Sequence, residues 1–299
     1  MQAPKGEPGS WVGEAAREKF MKAYERAFAL WPQPFEEYDV ETQSTTTRVH
    51  AYRPNPGGPP IVLLTGAGYN ASAWYPHVAA LAERGPVYGI DMPGDPNPSV
   101  ARAPITPPET CAAWLDELLD RLTDRPAHLV GTSYGGWVAM NQALRAPERI
   151  ASITLLDPAG LTKLDTRFWF WLNISGLATL TPTPLRRRLA RWMGNPTMME
   201  RELITLMWAG IRGYRMEPKF PKTLTSEELG AITVPVLLAT GARSALISPG
   251  QARDRAGCIP GAQLAIVPGN HGGFNRVDEL NDRIAAFIEA QATGRQSVQ

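Results

Sequence analysis

The sequence predicts an α/β fold with a mostly parallel sheet, from the order in which strand-like and helix-like segments follow one another. Short aliphatic runs with little internal polarity alternate with amphipathic stretches of helical period, such as 111–122 and 137–145. Runs of this kind are typical of strands that helices cover on both faces. Two strand-like stretches that look antiparallel come first, and the turn-forming segment 54–60 ends them. The eight predicted strands are residues 36–41, 46–52, 61–64, 87–90, 128–130, 153–156, 236–239 and 264–267.

The composition narrows the class of protein. The chain has 299 residues, of which 43% are hydrophobic and 20% are charged. This balance is that of a globular protein, and it excludes the disordered and collagen-like classes. The net charge is +1, so we expect no nucleic-acid partner, because the chain as a whole has no field that would attract a polyanion.

The cysteines and the lengths of the apolar runs indicate the cellular compartment of the protein. The two cysteines, Cys111 and Cys258, have no CxxC partner, and each is interpreted as a small buried hydrophobe. The first residues lack the apolar run of a signal peptide, and no window approaches the ~20 apolar residues that span a bilayer. The expectation is therefore a soluble, cytoplasmic protein without a membrane span.

An N-terminal helical arm is predicted over residues 1–34. Apolar side chains recur at helical spacing from Trp11 to Leu30, and Pro32 and Pro34 stop the pattern. We expect this arm to lie on the domain or on a partner subunit, and the sequence leaves open a homodimer through the arm or through the insertion described next.

A long insertion interrupts the predicted core, which comprises residues 35–160 and 231–299. From 161 to 230 the sequence has helix potential, many aromatic residues and no strand signal. Segments of this length usually form a lid or a binding subdomain. The alternative interpretation of the aromatic rings is that they form the hydrophobic core of the insertion itself. Within it, a basic cluster favours a solvated face over an anion site; its members are Arg186, Arg187, Arg188 and Arg191.

The sharpest signal is the pattern Gly-x-Ser-x-Gly, formed by Gly131, Ser133 and Gly135 between an aliphatic strand and a helix. In that context the serine occupies a tight, strained turn that lifts its Oγ above the sheet edge. The helix that follows points backbone N–H groups at any negative charge that develops nearby. The bare pattern also occurs by chance around structural serines, but the strand–turn–helix context favours Ser133 as a nucleophile.

From about Phe35 to Ala290 the chain resembles the α/β-hydrolase family, whose nucleophile lies on such a turn. The resemblance implies an α/β-hydrolase fold in which residues 161–230 are a helical cap over the active site. A cap rich in aromatic side chains would suit a bulky apolar ester or acyl substrate.

The resemblance also implies an oxyanion hole, formed by the backbone N–H groups of Ala67 and Tyr134. Ala67 lies in the glycine-rich loop after the third strand, where Thr65 replaces the histidine usual in the family. A plain glycine turn is the alternative interpretation of that loop. Asp91 and Asp95 follow the fourth strand and are interpreted as scaffold carboxylates that cap the next element.

His271 is the candidate general base. It follows the last predicted strand and precedes the terminal helix, where the resemblance places the catalytic histidine. His50 and His128 lie in strand patterns and His77 lies on a predicted helix, so a packing role is favoured for those three.

The triad acid is the point at which the sequence departs from the family. The resemblance places an acid after the strand near residues 236–239, but Ser244 occupies that position. Asp157 ends the preceding strand and is a candidate replacement, whereas a strand-ending Asp-Pro turn is an equal alternative. Asp278, on the terminal helix, is ranked below both. If no carboxylate reaches His271, the protein is a slow hydrolase or uses the pocket for other chemistry.

Three hypotheses about function follow. The first is a cofactor-independent serine esterase that uses Ser133 and His271, with Asp157 as the non-standard acid. The second is a non-hydrolytic enzyme that performs cyclisation, elimination or acyl transfer on a hydrophobic intermediate. The third is a non-catalytic binding protein. Metal, dinucleotide and nucleotide cofactors are not expected, because neither a ligand cluster nor GxGxxG nor a P-loop is present in the sequence.

Overall fold

The computed structural model describes residues 9–271, 273–274 and 276–296, so the first eight residues of the predicted arm lie outside the described residues. The strands are β1 (Ser10–Trp11), β2 (Glu36–Glu41), β3 (Thr45–Tyr52), β4 (Ile61–Leu64), β5 (Val87–Ile90), β6 (Val100–Ala101), β7 (Ala127–Thr132), β8 (Ile150–Leu156), β9 (Tyr214–Arg215), β10 (Val236–Gly241), β11 (Gln263–Val267), β12 (Gly269–Asn270) and β13 (Gly273–Phe274). The α-helices are α1 (Glu14–Phe28), α2 (Tyr75–Ala82), α3 (Pro108–Leu122), α4 (Tyr134–Arg145), α5 (Thr166–Ala178), α6 (Thr183–Met193), α7 (Arg201–Gly213), α8 (Ser226–Gly230), α9 (Pro249–Ala256) and α10 (Val277–Gln296). Short 3₁₀ helices cover Ala71–Trp74, Pro147–Arg149 and Pro196–Met199.

The central sheet runs in the order β11-β10-β8-β7-β4-β5-β3-β2, and β6 pairs with β3 off this path. The six strands from β11 to β5 are parallel to their neighbours, whereas β3 is antiparallel to both β5 and β2. This is the predicted eight-stranded, mostly parallel sheet, with β6 added. Because the parallel strands all end at the same edge, the loops that follow β4, β7, β8, β10 and β11 meet there.

Two apolar cores lie on opposite faces of this sheet. In β4, Ile61 and Leu63 point into one core and Val62 and Leu64 into the other, as successive side chains of a strand must. One core is closed by α3, α4 and α9, and the other by α1, α2 and α10. Burial on both faces explains why β4 is aliphatic throughout.

The insertion between β8 and β10 consists of α5, α6, α7, β9 and α8. The sequence of the insertion has no strand signal, but the structure has one short strand there: β9 pairs with β1, joining Tyr214 to Trp11. A strand of two residues is too short to leave an alternating pattern in the sequence.

The arm packs on the insertion of its own chain. Helix α1 runs along α7 so closely that a Cβ at Gly213 would lie 3.2 Å from the Cβ of Ala16. Phe28 and Trp31 continue the contact into the core beneath α2 and α10, where both are buried. The arm therefore joins the insertion to the sheet.

Candidate active site

Ser133 occupies a strained turn between β7 and α4. Its φ of 51° and ψ of −116° place it in the left-handed region that a residue with a side chain rarely adopts. Two glycines in the turn avoid steric clashes with nearby backbone atoms. A Cβ at Gly131 would lie well under 3.0 Å from the carbonyl oxygen of Gly135, and one at Gly135 would lie equally close to that of Leu64. The spacing of Gly-x-Ser-x-Gly is thus a steric requirement of this turn.

Ser133, His271 and Asp157 form one chain of hydrogen bonds. The Oγ of Ser133 lies 3.1 Å from Nε2 of His271, and Nδ1 of His271 lies 2.6 Å from Oδ2 of Asp157. The imidazole is 9% exposed and the carboxylate 1%. The structure therefore brings together the three side chains that the sequence analysis named, with Asp157 on the far ring nitrogen.

Asp157 is held by the strand beside its own. It directly follows β8 with a φ of 47°, and its backbone N–H donates to the carbonyl of Ala239 in β10. Thr240 Oγ1 donates to its Oδ1 at 2.5 Å, and Ser244 Oγ donates to its Oδ2 at 2.7 Å. Ser244, at the position where the resemblance places an acid, thus donates a hydrogen bond to Asp157. Asp278 lies exposed on α10.

Asn270 fixes the backbone next to His271, and the sequence analysis did not identify it. Its Oδ1 accepts from the N–H groups of His271 and Ala245, each at 2.8 Å, and its Nδ2 donates to the carbonyl of Met193 at 3.0 Å. An asparagine beside a histidine carries no pattern of its own, so only the fold reveals this contact.

Two rings of the insertion contact the imidazole of His271. Phe168 and Trp171 on α5 present their rings nearly perpendicular to it, with centroids 5.2 Å and 5.8 Å away. The insertion therefore forms the apolar wall of the site, and it excludes water from one side of the histidine.

The backbone of the loop after β4 passes beside the serine. A Cβ at Gly66 would lie 3.2 Å from the Cβ of Ser133. The N–H groups of Ala67, in this loop, and of Tyr134, at the first position of α4, have no hydrogen-bond partner within the described ranges. The expectation that these two N–H groups form an oxyanion hole stays a prediction.

A buried ion pair ties this loop to the insertion. Lys219 Nζ pairs with Oδ2 of Asp95, and the two side chains are 2% and 0% exposed. Asp95 Oδ1 also accepts from the N–H of Gly68 at 3.0 Å, and Lys219 Nζ lies 5.0 Å from the centroid of the Tyr134 ring. Burial raises the pKa of Asp95, and the ammonium group of Lys219 opposes that rise. The expectation that Asp95 caps a following element is wrong, because its carboxylate binds a preceding loop and a distant lysine.

The other histidines and the buried cysteine lie in packing positions. His50 stacks on Phe28, His128 Nδ1 lies 2.7 Å from Ser152 Oγ, and His77 contacts Asn281. Burial raises the pKa of Cys111 to about 12, so its thiol stays neutral. Within residues 9–271 and the described segments that follow, there is neither a cluster of three or more potential metal ligands nor a helix able to cross a membrane.

The site has three features typical of α/β hydrolases. They are a serine on a strand-to-helix turn, a histidine after the last strand of the central sheet, and a carboxylate that follows a neighbouring strand. The model of the alpha/beta hydrolase family matches residues 61–286, and the chain belongs to that family. The predicted fold class and family are confirmed.

Relatives along most of the chain have named activities. The carboxylesterase YbfK of Bacillus subtilis is 28% identical over 282 residues, which span 90% of this chain and 93% of YbfK. A second B. subtilis protein, the uncharacterized carboxylesterase nap, is 29% identical over 285 residues, or 91% of this chain and 93% of nap. The prediction of an α/β-hydrolase-fold enzyme is thereby confirmed.

Solved structures from the same organism agree. The crystal structure of carboxylesterase CesB (YbfK) has a TM-score of 0.79 at 27% identity, covering 92% of this chain and 99% of that one. The naproxen esterase structure has a TM-score of 0.80 at 24% identity with the same coverage, and supports the fold alone.

Proposed function

We propose that the protein is a cofactor-independent serine esterase that hydrolyses carboxylic esters through Ser133, His271 and Asp157. The observation that carries the proposal is the hydrogen-bonded chain from Ser133 Oγ through the imidazole to the buried carboxylate. The similarity to carboxylesterases over nine-tenths of the chain supports the same reaction.

In the first half of the reaction, Ser133 Oγ attacks the ester carbonyl while Nε2 of His271 takes the serine proton. Asp157 keeps the imidazole in the tautomer that accepts at Nε2, and it stabilises the imidazolium that forms. The carbonyl oxygen becomes an oxyanion, to which the N–H groups of Ala67 and Tyr134 donate. Preorganised donors of this kind are each worth roughly 3 kcal/mol in the transition state.

The second half of the reaction repeats these roles with water. The tetrahedral intermediate expels the alcohol, which takes the proton from His271, and an acyl ester remains on Ser133. His271 then removes a proton from a water molecule, the hydroxide attacks the acyl carbonyl, and the carboxylic acid leaves as Ser133 regains its proton. The reaction uses only the ester and water and needs no cofactor.

The substrate class proposed is an ester with a bulky apolar acyl or alcohol group. The rings of Phe168 and Trp171 against His271 support it, because they place apolar surface within contact of the reacting atoms. In this proposal residues 161–230 are a cap over the site, and residues 1–34 are an arm that holds the cap.

The test combines labelling with turnover. A fluorophosphonate probe labels the wild-type chain once, and mass spectrometry locates the label on Ser133. Ser133→Ala abolishes the label and lowers p-nitrophenyl ester hydrolysis by about 10⁴-fold or more, whereas Ser226→Ala, at an exposed serine on α8, changes neither.

Two results would contradict the esterase proposal. Turnover that survives Ser133→Ala but is lost in His271→Ala would point to non-hydrolytic chemistry at the histidine. Tight binding of apolar ligands with neither labelling nor hydrolysis in the wild type would point to a binding protein.

A further inference from the structure

The outer surface of α5 and α6 exposes large apolar side chains. Phe170 and Trp192 are each 70% exposed, although side chains of this size are mostly buried in folded proteins. We call the patch the α5–α6 surface, defined by Trp169, Phe170, Leu177, Leu180, Leu185 and Trp192. Exposed large apolar side chains grouped on two successive helices are typical of an interaction site.

These apolar side chains are exposed even though the insertion has a packed core. Helices α5 and α6 share a small buried cluster that holds the pair together; its members are Ala178, Ala190, Met193 and Met198. The inner face of α5 is also satisfied, since Phe168 and Trp171 contact His271. The exposed rings are therefore additional to the core of the insertion.

The same segment is strongly basic. Residues 166–199 contain five arginines and neither aspartate nor glutamate, in a chain whose net charge is +1. Arg167 and Arg186 bind backbone carbonyls. Arg187, Arg188 and Arg191 are exposed on α6, and their guanidinium groups have no acidic partner in the part of the chain that the structure describes.

We infer that the α5–α6 surface docks on an anionic lipid bilayer. Exposed tryptophan, phenylalanine and leucine suit the boundary between headgroups and acyl chains, and arginines beside them suit anionic headgroups. A second copy docked through the same surface would place Arg187, Arg188 and Arg191 of both chains together, where their charges repel. Charge complementarity therefore favours the lipid surface.

Docking through the α5–α6 surface would also affect the proposed esterase activity. Helix α5 separates His271 from the exterior, with Phe168 and Trp171 inside and Trp169 and Phe170 outside. Docking through its outer face brings the apolar wall of the active site next to the lipid. Apolar esters that partition into the bilayer are then concentrated at the site.

The experiment measures binding of the full chain to vesicles by flotation. Vesicles of phosphatidylcholine alone are compared with vesicles that also contain phosphatidylglycerol, in low and in high salt. We expect at least about tenfold more bound protein on the anionic vesicles in low salt, and a loss of that excess in high salt. Ser133→Ala binds like the wild type, so this result is independent of the esterase proposal.

Two variants and two matched controls locate the contact. The triple variant Arg187→Gln, Arg188→Gln, Arg191→Gln and the double variant Phe170→Ser, Trp192→Ser each reduce binding at least about tenfold. Arg121→Gln on α3 and Ile211→Ser on α7, both exposed, retain it. Circular dichroism and hydrolysis of a soluble ester confirm that every variant is folded.

Three outcomes would overturn the inference. The first is equal binding to neutral and anionic vesicles, and the second is no binding by a folded wild-type chain. The third is a dimer in solution that the Phe170→Ser, Trp192→Ser variant dissociates, since it would assign the surface to a second copy.

Discussion

Ser244 Oγ donates a hydrogen bond of 2.7 Å to the same carboxylate oxygen of Asp157 that binds His271 at 2.6 Å. The hydroxyl oxygen of Ser244 in turn accepts from the N–H groups of Leu246 and Ile247. Asp157 and Ser244 follow the neighbouring strands β8 and β10, so parallel pairing places them together. The serine at the position where the resemblance places an acid therefore holds the carboxylate that we propose as the acid.

The first prediction concerns this acid. Asp157→Asn lowers kcat for p-nitrophenyl esters by on the order of 10³- to 10⁴-fold, because an amide no longer stabilises the imidazolium and permits the wrong tautomer. KM changes little, since the substrate does not touch this side chain. Steady-state kinetics of the purified variant provide the measurement.

Asp278→Asn is the control for this prediction, because that carboxylate is exposed on α10. It retains the wild-type rate. A loss of rate in Asp278→Asn, with Asp157→Asn unaffected, would assign the acid to the terminal helix instead.

Much of the fold can be predicted from the sequence, as can Ser133 and His271 among the three proposed catalytic residues, because their signals are local. Aliphatic runs identify buried strands, and Gly-x-Ser-x-Gly is fixed by clashes within one turn. The resemblance placed His271 by its position after the last strand. Asp157 remained one of two equal interpretations, because sequence order does not give the distance between the ends of β8 and β11.

The contacts that the sequence analysis missed join residues far apart in the chain. Lys219 and Asp95 are separated by 124 residues, and nothing near either residue in the sequence indicates that the two side chains pair. The hydrogen bond from Asn270 to the carbonyl of Met193 likewise joins the core to the insertion, between residues 77 positions apart. Pairs like these depend on how the insertion folds over the sheet, which no local pattern encodes.

The second prediction concerns the buried pair of Lys219 and Asp95. Lys219→Met lowers kcat by about tenfold to a hundredfold with a smaller change in KM, because the loop of Ala67 and the ring of Tyr134 lose their shared support. The readout is kcat per active site, titrated with the fluorophosphonate probe, because a loss of folded protein lowers the apparent kcat and leaves KM unchanged.

Its control is Lys222→Met, at a lysine whose side chain is 67% exposed and whose partner Glu228 lies at the surface. This variant retains kcat. Because an unpaired buried carboxylate destabilises a protein by about 3–5 kcal/mol, the double variant Lys219→Met, Asp95→Asn is measured as well. A wild-type kcat in that folded double variant would contradict the positioning role.

The third prediction concerns Gly135, where the turn that carries Ser133 passes close to the backbone at the end of β4. Gly135→Ala lowers the free energy of unfolding by about 3 kcal/mol or prevents folding, because its Cβ would enter the carbonyl groups of Leu64 and Thr65. Gly176→Ala on α5 meets no atom within 4 Å and is expected to stabilise by about 0.5–1 kcal/mol. Urea unfolding of both variants provides the comparison, and equal effects would contradict the steric argument.

The fourth prediction concerns the pH dependence of stability through His77. Nδ1 of His77 donates to Asn281 Oδ1 at 2.6 Å, and Asn281 is oriented by its own donation to the carbonyl of Pro76. Burial lowers the pKa of His77 below its usual value, although the hydrogen bond with Asn281 acts in the opposite direction. The folded state therefore favours the neutral imidazole over the protonated one.

The sign of the effect follows from proton binding. Below a pH of about 6.5 the unfolded chain protonates His77 while the folded chain resists protonation, so protons favour unfolding. The contribution to stability is present above about 6.5 and is lost as the pH falls towards the folded-state pKa. Its slope is at most about 1.4 kcal/mol per pH unit.

The measurement compares wild type with His77→Gln, which keeps a donor near Asn281 but does not titrate. Urea unfolding at a series of pH values gives the free energy of unfolding for each. The wild type loses stability more steeply than the variant as the pH falls below about 6.5, because titrations elsewhere are common to both and cancel. Parallel curves for the two proteins would mean that the folded chain accommodates the protonated ring, against the burial seen here.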